Sequence, residues 1–467
     1  MPQLPTSGKM MVAPVQSGSL QQRATAIVRR LQAAGFEAFW VGGCVRDLLL
    51  GREPDDYDVV TSALTEQVEK LFERTVAVGR KFGVIVVVED EHQFQVATFR
   101  AEADYQDGRR PNQLTFGDAR ADASRRDFTI NGLFFDPVRN QLRDWVGGEA
   151  DLRAKLIQTI GSPAERFAED HLRLLRAVRL AAQLDFQIEV RTFAAIQAGA
   201  PMIRGISAER IREELCKLFC APHAGRGLEL LRQSGLLEHV LPELAATVSC
   251  EQSPDYHPEG TVFNHLKLML GHLARDADPS VPWAVLLHDV AKPVTASKDH
   301  ATGRIHFYGH EKLGAEMAKE ILERLKFPRK QIDEIVQAVL YHMQFKDALE
   351  MRQSTVRRLL LRPTFPLELE LHRLDCLGSH RRLDVYDYLV EQARLLQQQP
   401  QLRPTLLKGD DLISLGMKPG PEMGALLEEV REKQLADELK TPNEALKWAR
   451  ERLSLSAAEP GDKKATP

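Results

Sequence analysis

Apolar and polar positions follow two different periods along this chain, and the change of period divides it. Early on, the apolar positions come in short runs: "EAFWVGG" (37–43), "DYDVVT" (56–61), "GVIVVVED" (83–90) and "FQVATF" (94–99). Each run is rich in β-branched or aromatic residues and bounded by Gly, Asp or Pro, which predicts strands. After about residue 165 the spacing becomes helical, as in "LRLLRAVRLAAQL" and "ERIREELCKLF", and it stays helical almost to the end. "CAPHAG" (220–225), "EQSPDYHPEG" (251–260) and "QQQPQLRP" (397–404) collect Pro and polar residues and break the helical part. The pattern predicts an α+β fold: a mixed-sheet head over 21–160, a helical neck over 161–250, a second helical domain over 251–396 and a helical tail over 397–455. Residues 1–20 and 456–467 are expected to be disordered.

Composition changes this picture little. With 467 residues the chain exceeds what one core supports, and 43% hydrophobic and 27% charged residues are ordinary for a soluble globular protein. A formal charge of −4 does not single out a nucleic-acid binder, although it leaves room for a local basic face. Five scattered cysteines argue against a disulfide framework and for a reducing, cytoplasmic setting. Cys216 and Cys220, one helical turn apart with no matching pair nearby, are expected to be buried thiols. No apolar run is long enough to span a membrane, and the first residues lack the apolar stretch of a secretory signal. Nothing in the chain sets an oligomeric state.

Candidate chemistry begins at "GGCVRDLLLGREPDDYDVVT" (42–61). Two residues apart on a strand, Asp56 and Asp58 would share a face, and like charges crowded there call for a cation between them. Magnesium is the expected ion, activating an attacking hydroxyl and binding a nucleoside triphosphate. Gly42 and Gly43 allow close backbone approach to a phosphate. Arg46 and Asp47 follow, and "ADASRRDFTINGL" (121–133) adds Arg125, Arg126 and Asp127. Guanidinium suits triphosphate oxygens and carboxylate suits ribose hydroxyls. Alone, "DDYD" also fits a solvated strand entrance, and Arg–Asp neighbours also make structural ion pairs.

"EDHLR" places Asp170 and Arg173 at i, i+3, on one face of a predicted helix. A carboxylate accepts from an exocyclic amino group while a guanidinium donates to the adjacent ring nitrogen. Cytosine and adenine offer that pair of groups; uracil and guanine offer the reverse. Further on, ten of the fourteen histidines lie between His257 and His380. "FNHL" gives His265, "LLHDVAKP" gives His288 and Asp289, "HFYGHE" gives His306 and His310, "LYHMQ" gives His342 and "RLDCLG" gives Asp375. Imidazoles and carboxylates on separate helices predict a divalent-metal shell that prefers softer ions such as Ni2+, Co2+ or Mn2+.

The succession "VGGCVRDLLLGREPDDYDVVT", "VATFR" (96–100), "YQDGRRP" (105–111), "RRDFTINGL" (125–133) and "ERFAEDHLRLLRAVRLAAQLDF" (165–186) resembles the bacterial tRNA CCA-adding nucleotidyltransferases and the similar poly(A) polymerases. The resemblance implies that Asp56 and Asp58 bind catalytic Mg2+, that Gly42, Gly43 and Arg46 hold the triphosphate, and that Arg126 and Asp127 flank the ribose. It assigns Glu169, Asp170 and Arg173 the reading of CTP and ATP, with Arg176 among the nucleotide-binding residues. Arg176, Arg179, Arg204 and Arg212 are candidates to line an RNA backbone. "SAERIREELCKLF" (207–219), capped by Ser207, resembles a segment that supports the neck, and "LKGDDLISLGMKPGPEMGALLEEV" (407–430) with "TPNEALKWAR" resembles a tail that meets tRNA. The family often has a carboxylate before "VATFR", where this chain has Gln95, a poor metal ligand.

The ordered set His265, His288–Asp289 and Asp375 resembles the HD phosphohydrolase superfamily, with His310 and His342 set to complete a second metal or to bind phosphate. Three readings follow. The first is a CCA-adding enzyme with a metal-binding HD domain. The second is a poly(A) polymerase, or an enzyme adding only CC or only A. The third is an HD phosphohydrolase whose head binds nucleotide.

Overall fold

The computed structural model describes residues 19–101, 115–254, 257–299, 301–302, 304–398 and 404–457. "YQDGRRP" and the expected disordered termini fall wholly or almost wholly outside these residues. The chain forms two compact units, one of residues up to Ala245 together with Arg324–Lys326, the other of Ala246–Glu323 and the chain from Phe327 onward.

In the first unit, the helix Leu20–Ala33 starts at Ser19, whose hydroxyl accepts from the Gln22 N–H, and buries Ala24, Ile27, Val28 and Leu31 on one stripe. That spacing is the helical period that lets one face cover a sheet. The sheet has seven strands: β1 (Ala38–Val41), β2 (Asp58–Thr61), β3 (Thr75–Gly79), β4 (Val84–Glu89), β5 (His92–Thr98), β6 (Phe134–Asp136) and β7 (Gln141–Arg143). Their order is β3-β4-β5-β2-β1-β6-β7. β2 and β5 run parallel, and every other neighbouring pair is antiparallel.

β1 is buried at all four positions, whereas β5 alternates, with Phe94, Val96 and Thr98 inside and Gln93 and Gln95 outside. Phe39, Val41, Val60, Phe99 and Phe134 close the core on one side of the sheet against Ala119 and Ala123. The four strand runs predicted from sequence are β1, β2, β4 and β5; β3, β6 and β7 are additional. After the head come the helices Pro163–Glu169, Leu172–Leu184, Val190–Gly199, Ala208–Phe219 and Ala224–Gln233. Ser207 occupies the N-cap of the fourth, but its side chain makes no capping hydrogen bond. Cys220 is exposed and Cys216 half-buried, so the expectation of two buried thiols fails; both sit at the end of that helix, off its apolar stripe.

Among the described residues the second unit is helical apart from one two-stranded ribbon, Ser297–Lys298 with Ile305–His306. The helix Ser280–Leu287 is buried at every position and packs against the helices Val262–Gly271, Arg329–Tyr341 and Phe365–Gly378. The last helices, Gly409–Ser414, Pro421–Leu435 and Pro442–Ala457, enclose a small core of Leu407, Leu412, Met423, Leu426, Val430 and Leu439.

Candidate nucleotidyl-transfer site and metal centre

At the end of β1 the chain turns at Gly42 into the short helix Gly43–Leu49. Gly42 has φ +80, a conformation that costs a residue with a side chain about 1–3 kcal/mol. Val41 pairs with Asp58 across β1 and β2, so the glycine turn leaves the sheet beside Asp58. Val59 pairs with Val96 in the parallel β2–β5 register, which sets Gln95 next to Asp58 on the other side.

Asp56 does not share a strand face with Asp58, as the spacing predicts. β2 begins at Asp58, because β1 turns away at Gly42 and leaves Asp56 and Tyr57 without a ladder partner. Tyr57 is buried edge-on against Trp40, 4.9 Å between ring centroids, while Asp56 is exposed and Asp58 half-buried. The two carboxylates still feel one another. Burial, then the charge of Asp56, pushes the Asp58 carboxyl up to about 6 against the pull of Arg126. An all-oxygen pair so short of positive charge fits a hard divalent cation.

The arginines around this pair are anchored from below. Asp122, wholly buried, accepts from Arg125 Nε (2.9 Å) through one oxygen and from Arg126 Nη2 (2.9 Å) through the other. Arg46 is buried and engaged on all sides, with Nε and Nη2 on Asp47 (3.0 and 2.8 Å) and Nη1 on Asn131 Oδ1 (2.8 Å). It clamps the helix Gly43–Leu49 to the segment after Arg126. Asp127 is buried; its Oδ1 accepts from the Phe128 N–H at 2.8 Å, and its Oδ2 lies 2.8 Å from Arg176 Nη2. Burial opposes its charge, but Arg176 and Arg173 outweigh that and hold its carboxyl below the usual range. Arg179 pairs with Glu214 at 2.8 Å, so neither Arg176 nor Arg179 is part of a merely solvated basic face; Arg204 is exposed.

Asp170 and Arg173 do not lie on one helix face. The first helix ends at Glu169, Asp170 is extended (φ −150, ψ 104), and the next helix begins at Leu172. Asp170 Oδ1 accepts from the Leu172 N–H at 3.1 Å and caps that helix, which is what breaks the continuity. Its Oδ2 pairs with Arg210 Nη2 at 2.7 Å. Arg173 donates to the Arg166 carbonyl at 2.8 Å and to Glu169. Asp122, Asn131 and Arg210 escaped the sequence reading as partners; each lies inside or just beside a quoted motif, but nothing in a motif says which side chain it meets.

In the second unit His265, His288, Asp289, His310 and His342 converge, all buried, together with Asp375. Asp289 Oδ2 lies 3.2 Å from His288 Nε2; its Oδ1 lies 3.4 Å from His310 Nε2 and 3.9 Å from His342 Nε2. His265 Nε2 is 3.0 Å from Asp375 Oδ1. The Nδ1 atoms of His288, His310 and His342 lie 2.8, 2.7 and 2.6 Å from the carbonyls of Val285, Phe307 and Val339. A proton is therefore fixed on Nδ1 and the Nε2 lone pairs face inward. His310 Nε2 and His342 Nε2 are 3.1 Å apart with no proton assigned between them, an arrangement a metal ion relieves. Burial and the neighbouring His288 push His342 down to about 3, so it stays a neutral ligand. Within this unit the described residues contain overlapping groups, His265–His288–Asp289 and Asp289–His310–His342, whose ligand atoms lie within 4.8 Å of one another. His306 is not among them; it stacks on Tyr308. Lys292 Nζ contacts Asp289 Oδ2 (2.7 Å) and Gln252 Oε1 (2.6 Å), partners the sequence reading did not single out.

Head and metal centre together define a class: a nucleotidyltransferase-type mixed sheet followed by an HD-type cluster. Three domain families match along the chain: "Poly A polymerase head domain" over 38–158, "Probable RNA and SrmB- binding site of polymerase A" over 185–247, and "HD domain" over 256–377. The CCA-adding enzyme of Lactococcus lactis subsp. lactis is 32% identical over 434 residues, covering 91% of this chain and 95% of that protein. That of Geobacillus kaustophilus is 44% identical over 233 residues, 50% of this chain, and the match spans only 57% of that relative's length. Among solved structures, the Bacillus stearothermophilus CCA-adding enzyme in complex with CTP is similar with a TM-score of 0.71 at 25% identity, covering 94% of this chain and 98% of that one. The Thermotoga maritima CCA-adding enzyme complexed with tRNA shares the fold, with a TM-score of 0.56 at 19% identity over 94% of this chain and 96% of that one. This chain belongs to the CCA-adding enzyme family.

Proposed function

We propose that the protein is a CCA-adding tRNA nucleotidyltransferase, transferring CMP and AMP from CTP and ATP to the 3′ end of tRNA without a template. The observation that carries this reading is the β1–β2 register, which sets the Gly42–Gly43 turn beside Asp58 with Arg126 close by. Asp56 and Asp58 are the residues to hold Mg2+, which when bound supplies the positive charge that activates the tRNA hydroxyl and screens the triphosphate. Gly42 and Gly43 admit the phosphates, Arg126 neutralises them, and Arg46 keeps the glycine turn in place through Asn131. Asp127, steadied by Arg176, is the residue to meet a ribose hydroxyl.

Glu169, Asp170 and Arg173 select the base. Asp170 accepts from an amino group and Arg173 donates to a ring nitrogen, so uracil and guanine leave like polar groups facing one another. Each such mismatch costs on the order of 1–3 kcal/mol. In this reading residues 21–160 form the head, 161–250 the neck, 251–396 the HD domain and 397–455 the tail. A cytoplasmic setting agrees with five scattered cysteines, and among the described residues no helix is long and apolar enough to cross a membrane.

The test supplies a tRNA lacking its 3′ end with CTP and ATP, singly and together. Full CCA addition from the mixture supports the reading. Addition of A alone, or of long A tracts, favours the poly(A) or partial enzyme instead. A second activity is favoured by the facing Nε2 atoms of His310 and His342: metal-dependent hydrolysis of phosphomonoesters or cyclic phosphodiesters with Ni2+, Co2+ or Mn2+.

A further inference from the structure

The imidazoles of the metal centre are not all held alike. His288, His310 and His342 each use Nδ1 on a backbone carbonyl three residues earlier in the chain. His265 instead has a carboxylate beside Nδ1, with Glu259 Oε1 2.7 Å away at ion-pair distance. The same oxygen lies 2.9 Å from His257 Nδ1, whose ring stands edge-on to that of His265, with centroids 5.0 Å apart. The Glu259 side chain is only 6% exposed, and its other oxygen, Oε2, is buried without a hydrogen-bond partner.

The backbone brings Glu259 there deliberately. The segment is tied at its base, the Val262 N–H donating to Cys250 O (2.9 Å) and the Gln252 N–H to Gly260 O (3.1 Å). Asn264 Nδ2 approaches the Glu259 carbonyl at 3.3 Å from the next helix. A carboxylate buried with one free oxygen is costly to keep unless its charge serves a neighbour.

We propose that Glu259 is a positioning residue of the metal centre: it orients His265, fixes the proton on Nδ1 and strengthens Nε2 as a ligand, while His257 steadies Glu259 in turn. The inference rests on the metal-binding reading of the HD cluster. It makes Nε2 of His265 a stronger donor to the ion, because a carboxylate partner donates more electron density through the ring than a carbonyl does. His257 and Glu259 are then outer groups, although with His265 they also form a set of three ligand atoms close enough for an ion of their own.

The test titrates the full chain with Co2+, reading affinity by competition with a chelator, stoichiometry by metal analysis and geometry by visible absorption. Glu259→Gln keeps the shape of the side chain, and Glu259→Ala removes it; thermal unfolding reports whether each is folded. Both are expected to bind Co2+ roughly 10- to 100-fold more weakly at unchanged stoichiometry. His257→Ala should weaken binding less. Unchanged affinity in a folded Glu259→Gln protein overturns the inference. Loss of one ion per chain in Glu259→Gln and His257→Ala overturns it too, since the three residues would then be ligands themselves. If the unaltered protein binds no Co2+, the metal-centre reading falls first, and this inference with it.

Discussion

At the scale of single residues, the proposed catalytic pair is a place where stability is given up. Folding raises the Asp58 carboxyl from 3.8 to about 6, so the folded state holds its proton more tightly than the unfolded chain. The group therefore lowers stability as pH rises from about 4 to 6, and the penalty is complete above that window. Two pH units correspond to about 3 kcal/mol. Asp58→Asn, lacking the charge, should be more stable than the parent at pH 8 by about 2–3 kcal/mol without Mg2+, and the gap should close by pH 4. Denaturant unfolding at both pH values checks this; a gap independent of pH would contradict it. The same protein, like Asp56→Ala, should keep less than about a hundredth of the nucleotide-adding activity.

The proposed base choice also rests on single groups. Asp170→Ala should raise the use of UTP or GTP relative to CTP or ATP by roughly one to two powers of ten. Arg176→Ala, whose guanidinium meets Asp127 rather than Asp170, should slow all four nucleotides without changing their ranking. Single-nucleotide incorporation on one tRNA at fixed salt separates the two outcomes. An unchanged ranking in Asp170→Ala would mean that the carboxylate serves only to cap its helix and pair Arg210.

At the scale of elements, the paired glycines have separable duties. Gly42 holds φ +80 where β1 passes into the helix Gly43–Leu49. A Cβ on Gly43 would meet only the far end of Arg46, at 3.6 Å, and its φ is not left-handed. Gly42→Ala should therefore lose about 1–3 kcal/mol of stability. Gly43→Ala should fold with parent stability yet show a clearly raised KM for CTP and ATP, because the added methyl stands where the triphosphate must approach. Equal KM values in Gly43→Ala and the parent would remove Gly43 from the nucleotide site.

Elements were legible in the sequence wherever a run carried its own period. "EAFWVGG" and "FQVATF" read as strands because their apolar residues commit to a sheet, and "LRLLRAVRLAAQL" reads as a helix for the same reason. β3, β6 and β7 did not: in β3 Val76 and Ala77 are exposed, and "FFD" and "QLR" are only three residues each, so their pairing partners define them. The break at Asp170 was invisible too, since "EDHLR" contains neither Gly nor Pro and the interruption comes from a side chain capping the helix ahead of it. The site followed the same rule. Residue types gave Asp56, Asp58 and the histidine cluster, whereas the anchors Asp122, Asn131, Arg210 and Glu259 are fixed by contacts that only folding creates.

For the whole molecule, every residue of the proposed transfer site lies in one compact unit and every ligand of the metal centre in the other. His288→Ala or Asp289→Ala should thus leave CTP and ATP addition nearly normal while removing any phosphatase activity stimulated by Ni2+, Co2+ or Mn2+. Joint loss of both activities in a folded protein would contradict separate sites. Strand order carries a different implication, for the time during which the protein is being made. β1, complete at Val41, lies between β2 and β6, and β6 is not reached until Phe134. Chains emerge from the ribosome N-terminus first, at about 5–20 residues per second. The proposed catalytic aspartates are thus in solution for seconds before the strand that closes their sheet exists, and Asp127 waits longer still for Arg176. A nascent chain arrested before Phe134 should carry the acidic motif and add no nucleotide, as assay of stalled ribosome complexes would reveal. Under the proposed function, polymerising capacity is in this way withheld from unfinished copies of the chain.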